Sequence, residues 1–513
     1  MRKNKINGYM EFLKKIDHSI YTILACVLVW MAGNLCMESI FAKDKIMGTG
    51  IVLLVFCFYF FYVYRPRKGE DKALRNLLLL FGFAIRVIYV WAVPSDISAH
   101  DLGHVLDTGE VTGGHLGYVS YIYHYGKIPD MDPRMAWAYY NPPLYHIISA
   151  IWLKINTTIG IEWNQAAENL QIITLLYSSL SVVVFEKILD EFSIQDKVKN
   201  LILCFFGTFP MLIWLSGNLT TDSLVLLFAL CIMLYTIRWY KKRDMKTIVI
   251  LAFCIGCGMI TKISLGFFAV SVGGIFLLGF IEAICKDKAL IKKYIIQFTI
   301  FLLICAPIGL SWTIRNSVRF GLEADYVPDI GGANSGQYIG DAALVDRIGI
   351  PSLTQMSYAK MCFNTEIDTN IWMSIFRTAI FDEWGAISID GEVAEGLGIA
   401  AVFANIFLGI FMLVLFILML ICKSEVWKLD GKLFFGLTYL VYLISYIKFC
   451  FDYPQICTMN FRYITFLAVI PMLGSGLFLK NEENKVCMKI LTFVCFLANG
   501  MATLLYLKFC MLL

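Results

Sequence analysis

Between Ser95 and His146 the chain reads SDISAHDLGHVLDTGEVTGGHLGYVSYIYHYGKIPDMDPRMAWAYYNPPLYH, and five of its six histidines fall there: His100, His104, His115, His124 and His146. Asp101 stands between two of these imidazoles. A carboxylate beside an imidazole, partly withdrawn from water, is suited to take a proton from a hydroxyl. The same side chains also suit a divalent cation, since His100, Asp101, His104 and His115 offer nitrogen and oxygen ligands. No HExxH or other tight ligand pattern accompanies them. The expectation is therefore that no metal or other cofactor is required, with a divalent cation as the rival reading.

Fixed positive charge recurs at the edges of apolar runs: Lys262 in GMITKIS, Arg315 and Arg319 in WTIRNSVRFG, and Arg462 in MNFRY. Singly, each is a long side chain reaching for the membrane surface. Together on one face they call for an anionic partner, and arginine forks grip phosphate oxygens well. Asp222, in the polar turn SGNLTTDS, is a second acid at the same kind of boundary. Arg86 lies inside an apolar run, where a central position in lipid costs about 2.5–3.5 kcal/mol. It is expected to face the bundle interior in a structural or electrostatic role.

The elements that must position these groups are helices. Charged residues make up 16% of the chain against 59% hydrophobic, with a mean hydropathy of +0.70, whereas a soluble protein carries roughly 25% charged residues. Apolar runs of about 20 residues recur throughout, continuous rather than alternating as a β-barrel requires. The fold class is all-α, a polytopic membrane protein. The net charge of +4 comes from Lys and Arg clustered between spans, a pattern that sets orientation and does not suggest nucleic acid. Most of the 16 cysteines, such as Cys26, Cys57, Cys231 and Cys305, sit in apolar runs, where they act as small hydrophobes. The Cys254–Cys257 pair also lies in a span and reads the same way. No cleavable signal peptide is evident, because the basic MRKNKINGYMEFLKK leads into an apolar run starting near Ser19 that reads as a retained span.

Threading by the positive-inside rule gives about thirteen spans, with the N-terminus cytoplasmic and the C-terminus outside. They fall near 18–40, 48–64, 74–93, 167–188, 200–217, 221–239, 247–261, 264–284, 294–313, 395–421, 431–450, 463–480 and 487–510. The apolar stretch PPLYHIISAIWLKI (142–155) is short for a span and opens on Pro142-Pro143, so it is expected as a juxtamembrane helix on the outer surface. Residues 1–73 then form an N-terminal two-span hairpin, and 74–313 a transmembrane core with an external loop at 94–166. Residues 314–394 form a second external region, and 395–513 the C-terminal helices. IWMSIFRTAIFDEWG (371–385) reads as an amphipathic surface segment, with Trp372, Phe376 and Phe381 at the interface and Asp382 and Glu383 beyond it. The expected location is the plasma membrane, with the chemistry on the extracytoplasmic side.

In this order the pieces resemble the GT-C glycosyltransferases that use polyprenyl-phosphate sugars, above all the dolichyl-phosphate-mannose protein mannosyltransferases and bacterial aminoarabinose transferases. The match runs over about residues 74 to 470. A span with Arg86 leads to Asp101-Leu102-Gly103-His104, where the family has an acidic loop motif. Asn141-Pro142-Pro143-Leu144-Tyr145-His146 stands where it has HPPL. The turn SGNLTTDS, then Met259-Ile260-Thr261-Lys262, Arg315-Asn316 and Arg462-Tyr463 complete the set. Asn141 replaces the usual His, Leu102 replaces a second acid, and two extra spans precede the family's first. The resemblance implies a GT-C-like fold and inverting transfer of a sugar from a polyprenyl-phosphate donor to an extracytoplasmic glycan, lipid or protein. It implies Asp101 as general base, and Lys262, Arg315 and Arg462 as the grip on the lipid phosphate. His100, His104, His115, Tyr140, Asn141, His146 and Asp222 would line the substrate site, with Tyr118, Tyr121 and Tyr139 available to stack on a sugar. The alternative is a transporter or flippase of lipid-linked glycans, which would carry ionisable groups at the bilayer midplane and paired halves. A noncatalytic scaffold is the third reading.

Overall fold

A computed structural model describes residues 45–98, 110–286, 288–324, 326–328, 332–382, 391–422, 429–480 and 485–512. Asp101, His100 and His104, together with the span expected at 18–40, lie outside the described residues. Among the described residues the architecture is helical, and the only β feature is an isolated bridge between Tyr338 and Gln455.

The helices are α1 (Lys45–Phe58), α2 (Asp71–Ala92), α3 (Gly114–Tyr125), α4 (Leu144–Thr158), α5 (Trp163–Glu191), α6 (Asp196–Gly207), α7 (Pro210–Gly217) and α8 (Asp222–Lys242). There follow α9 (Met245–Met259), α10 (Phe268–Lys286), α11 (Ala289–Phe320), α12 (Ile371–Phe381), α13 (Glu392–Ile421), α14 (Leu429–Asp452), α15 (Val469–Phe478) and α16 (Lys485–Leu512). Among the described residues nine helical segments are long and apolar enough to cross a membrane, and the bent pair α6–α7, taken as one span, makes a tenth. Two further expected spans take shorter forms: α1 is 14 residues long and runs on into a π-turn at Tyr59–Tyr64, and α9 is 15 residues long. The chain is thus a multi-pass membrane protein, although the count of thirteen is not reached among the described residues. Outward faces such as Leu302 and Leu303 on α11, Ile444 on α14 and Phe493 and Phe496 on α16 are exposed apolar surface suited to lipid.

The break between α6 and α7 shows how polar residues inside the bundle are used. Pro210 opens α7 and has no N–H to give, so the helix bends by 46° and carbonyls at the end of α6 lose their helical partners. Arg86 Nη1 donates to the Gly207 carbonyl at 2.7 Å, and Asn499 Nδ2 donates to the Phe205 carbonyl at 2.9 Å. Gly82, one turn before Arg86, backs directly onto the Gly207 peptide, so that any Cβ there would overlap the carbonyl oxygen. A glycine at this point lets α2 approach closely enough for Arg86 to reach. Arg86 thus faces the bundle interior, as expected. At the opposite end of α2, Arg75 pairs with Asp196 and stands 3.7 Å from Glu186, which is 3.6 Å from Lys199.

α4 begins at Leu144, has 15 residues, and unlike α9 is not one of the apolar helices. One face buries Tyr145, His146, Ser149, Ala150 and Leu153, while Ile151 and Ile155 on the other are exposed. A helix with a packed face and an exposed apolar face suits the expected position along a membrane surface.

The expectation for 371–385 needs correction. α12 buries Ile371, Met373, Arg377, Ile380 and Phe381, and Asp382 is only 1% exposed. Phe381 and Asp382 therefore belong to the interior; Glu383 lies outside the described residues. Only Trp372 and Phe376 are half-buried. The cause is Arg377, which pairs with Asp368 at 2.9 Å and donates to the Tyr358 carbonyl, drawing α12 under its own loop.

Candidate active site

Three separate stretches of sequence deliver charge to one place. Asp222 occupies the first turn of α8, where the helix dipole favours an acid. Lys262 sits in extended conformation in the turn after α9 and donates from Nζ to Asp222 Oδ1 at 2.7 Å. Arg462 starts the 3₁₀ segment Phe461–Ala468, and its Nε lies 3.7 Å from Asp222 Oδ2. The Tyr463 ring lies under Lys262 Nζ at 4.6 Å, and its hydroxyl accepts from Arg462 Nη2 at 3.0 Å. Asp222 and Arg462 are buried, while the Lys262 side chain is 23% exposed. Among the described residues two cations flank this one carboxylate in a desolvated setting, where charges act far more strongly on one another and on an anion than they would in water.

Each member is held by identifiable contacts. Leu144 N–H donates to the Ile260 carbonyl, so the Asn141–His146 motif docks on the turn that carries Lys262. Asn460 caps the Arg462 segment by accepting from Arg462 N–H, and donates from Nδ2 to Asp382 Oδ1 at 2.6 Å. Phe461 N–H donates to Thr378 Oγ1, so α12 positions Arg462. The turn before Asp222 is fixed at Gly217, whose carbonyl accepts from Ser98 Oγ at 2.7 Å and Gln171 Nε2 at 2.9 Å. Ser95 in turn bonds Glu168 through both N–H and Oγ. The chain leading towards Asp101 is thus pinned to the turn that carries Asp222.

A column of rings lies beside the charges. His115 Nδ1 and His146 Nε2 are 3.0 Å apart with their rings stacked at 5.3 Å. Tyr118 stacks on the other side of His146 at 4.0 Å, and Tyr139 on Tyr118 at 4.6 Å. Burial, with His115 adding to it, holds His146 well below the usual imidazole range, so it is neutral at pH 7. Burial likewise keeps the Tyr118 phenol protonated. His115 starts α3 only because Gly114 adopts φ +88°, with its N–H bonded to the Trp137 carbonyl.

Of the residues singled out in the sequence, the structure brings together Asp222, Lys262 and Arg462, with His115 and His146 next to them. Arg315 does not join this group through any contact described here. It donates to Asn316 Oδ1 and the Pro129 carbonyl and covers the Trp312 ring. Tyr140 presents its carbonyl to Trp312 Nε1, and Asn141 closes the turn by donating to the Ala138 carbonyl. Sequence reasoning gave no site role to Asn460, to Asp382, which it placed at the membrane surface, or to Tyr463, which it named only as part of the Arg462-Tyr463 motif; nor to Asn218, which is fully buried with both amide atoms unpartnered among the described residues. Among the described residues no group of three or more His, Cys, Asp or Glu side chains is placed to hold a metal.

No family model matches the chain, and no curated protein does. Among solved structures, ArnT from Cupriavidus metallidurans bound to undecaprenyl phosphate is similar at 12% identity and a TM-score of 0.33, over 83% of this chain and 77% of that one. The same protein in the apo state is similar at 11% and 0.32, over 83% and 76%. Likeness of this degree is too slight to carry an inference, and function is argued from the residues.

Proposed function

We propose that the chain is an integral-membrane inverting glycosyltransferase that moves a sugar from a polyprenyl-phosphate donor to an extracytoplasmic acceptor. The observation that carries this reading is the Asp222–Lys262–Arg462 group, two cations on one buried carboxylate, built at the ends of membrane helices and flanked by stacked rings. A lipid phosphate needs such a cation pair next to hydrocarbon, and a sugar next to it needs flat aromatic and polar surface.

Lys262 and Arg462 would hold the phosphate and offset the charge that grows on it as the anomeric C–O bond breaks. Asp222 keeps the two cations oriented and in place. The acceptor oxygen attacks the anomeric carbon from the opposite face, its proton passes to Asp101, and the bonding pair leaves with the phosphate. Because that leaving group is already a stable anion, no strong general acid is required. Asp101 follows the pinned Ser98 by three residues in the sequence. Arg315, held by Asn316 and the Pro129 carbonyl, would serve the donor as well.

The test is Asp101→Asn in membrane extracts supplied with a labelled polyprenyl-phosphate sugar. Transfer is expected to fall by about 10²-fold or more while the protein level is unchanged. Undiminished transfer would remove Asp101 as base, and no transfer by the unmodified chain with any such donor would remove the reading as a whole.

A further inference from the structure

We propose that residues 344–356, between α11 and α12, form an apolar wedge that seats in the lipid leaflet on the Asp222 side of the membrane. The inference goes beyond the transferase reading and does not depend on it.

The segment is turned inside out. Two short helical turns, Leu344–Ile348 and Leu353–Met356, present their large apolar side chains outward: Ile350 between them is 92% exposed, Leu353 85%, Val345 70% and Leu344 61%. Polar groups point the other way, since Arg347, Gln355 and Asn370 are all buried. Arg347 Nη2 donates to the Cys450 carbonyl at 2.6 Å, and its guanidinium covers the Phe451 ring. Asn370 Nδ2 donates to the carbonyls of Asp346 and Gly349, each at 3.0 Å, and Gln355 Nε2 to Thr369 Oγ1 at 2.8 Å. Ser352 and Gln355 close a capping box. The backbone is thus fastened from within, and the apolar side chains are held out instead of folding back. Facing water, such a patch is unfavourable; facing lipid, it is what the environment selects. Asp346, Ser352 and Thr354 are exposed beside it, which suits the boundary between headgroups and acyl chains better than the hydrocarbon centre.

What covers the wedge follows from its depth. Cys450 and Phe451 belong to the last turn of α14, whose Leu440 and Ile444 are exposed apolar surface. On the other side Trp372 Nε1 donates to the Ile348 carbonyl at 2.8 Å. Trp372 lies one turn before Phe376 on α12; the Phe376 carbonyl accepts from Asn405 Nδ2 at 3.2 Å, and its ring takes the space a side chain at Gly409 would need. Asn405 is about 20 Å along α13 from Glu392 at the usual helical rise, between the exposed Phe403 and Phe407. The wedge therefore hangs between α14 and α12 at the level where the bundle meets lipid, a level that tryptophan favours. Its exposed charges are acids, Asp341 and Asp346, so seating rests on apolar contact and not on anionic headgroups.

The experiment is power-saturation EPR of the full chain in phosphatidylcholine nanodiscs. A spin-labelled non-natural amino acid, which avoids the sixteen cysteines, replaces Ile350, Leu353 or, as a control in the same region, the exposed Glu366. Oxygen concentrates in hydrocarbon, whereas a nickel chelate stays in water. Labels replacing Ile350 and Leu353 are expected to collide more with oxygen than with nickel, and the label replacing Glu366 the reverse, with the same result in phosphatidylglycerol nanodiscs. Water-like behaviour of the first two labels overturns the proposal. Shielding from both reagents would mean that protein covers the wedge, and overturns it equally. Because a label can itself favour lipid, a second measurement uses hydroxyl-radical oxidation without one. Ile350→Ser removes most of one seated side chain and is expected to raise the oxidation rate of Leu353 in nanodiscs by about ten-fold. An unchanged rate overturns the proposal. Neither readout requires sugar transfer, so failure here leaves the transferase reading standing, and loss of that reading leaves the wedge.

Discussion

Replacing Asp222 with Asn removes the counter-charge from two neighbouring cations and leaves an amide oxygen where Lys262 donates at 2.7 Å. Breaking a buried ion pair by deleting one partner costs about 3–5 kcal/mol. Here the acceptor survives, and Lys262 can turn towards water because its side chain is 23% exposed. The expected loss of stability is therefore about 2–3 kcal/mol, the scale of a hydrogen bond to a charged group. Lys262→Met has a different consequence: among the described residues Asp222 keeps Arg462 at 3.7 Å, beyond hydrogen-bond length, and a long bond from Thr220 Oγ1 at 3.5 Å. That single change is expected to cost about 3 kcal/mol. Once Lys262 is gone there is no short contact left for Asp222→Asn to weaken. The double variant should accordingly be more stable than the sum of the single losses predicts, by about 1–2 kcal/mol. The assay is a double-mutant cycle on reversible unfolding in mixed micelles titrated with dodecyl sulfate. A coupling below about 0.5 kcal/mol, the level at which independent sites add, would refute the contact and the site built on it.

Gly82→Ala should destabilise by about 1–3 kcal/mol, read in the same unfolding assay, because its methyl group must push α2 away from the Gly207 peptide. Arg86→Leu strips the Gly207 carbonyl of its donor and should cost about 1–3 kcal/mol, leaving affinity for a lipid phosphate unchanged in a binding titration. His146 predicts a pH dependence. Its folded pKa is depressed, so below the unfolded value of about 6.5 the unfolded chain binds the extra proton and stability falls with falling pH. The slope approaches about 1.4 kcal/mol per pH unit, and His146→Gln should remove that component from stability curves taken between pH 7 and 5.

Much of the helical frame was legible because a span is a local feature: a run of apolar residues bounded by charge reads the same in sequence and in structure. The inward turn of Arg86 was legible for a related reason, since lipid offers a guanidinium nothing. Its partner was not, because the Gly207 carbonyl is freed only by Pro210 and lies 121 residues away. Asp222, Lys262 and Arg462 were each singled out, as a substrate ligand and two phosphate ligands, without the ion pair that joins them. Their mutual contact depends on how α8, the turn after α9 and the Phe461 segment pack, and no spacing in the chain encodes that. Arg315 resembled the other cations in sequence; its contacts with Asn316 and the Pro129 carbonyl, the latter 186 residues away, were not legible there. In α12 the aromatics suggested a surface segment. The signal that pointed inward was Ile371, Met373, Ile375, Ile380 and Phe381 distributed around the whole helix, as in a buried one.

Binding of a polyprenyl phosphate to the purified chain tests the central claim most directly, with the matching polyprenol as control. The unmodified chain should prefer the phosphate, and Lys262→Met should weaken its binding by about ten-fold, equivalent to about 1.4 kcal/mol, with polyprenol binding unchanged. Equal affinity for phosphate and alcohol in the unmodified chain, or an unaltered phosphate affinity in Lys262→Met, would contradict the account.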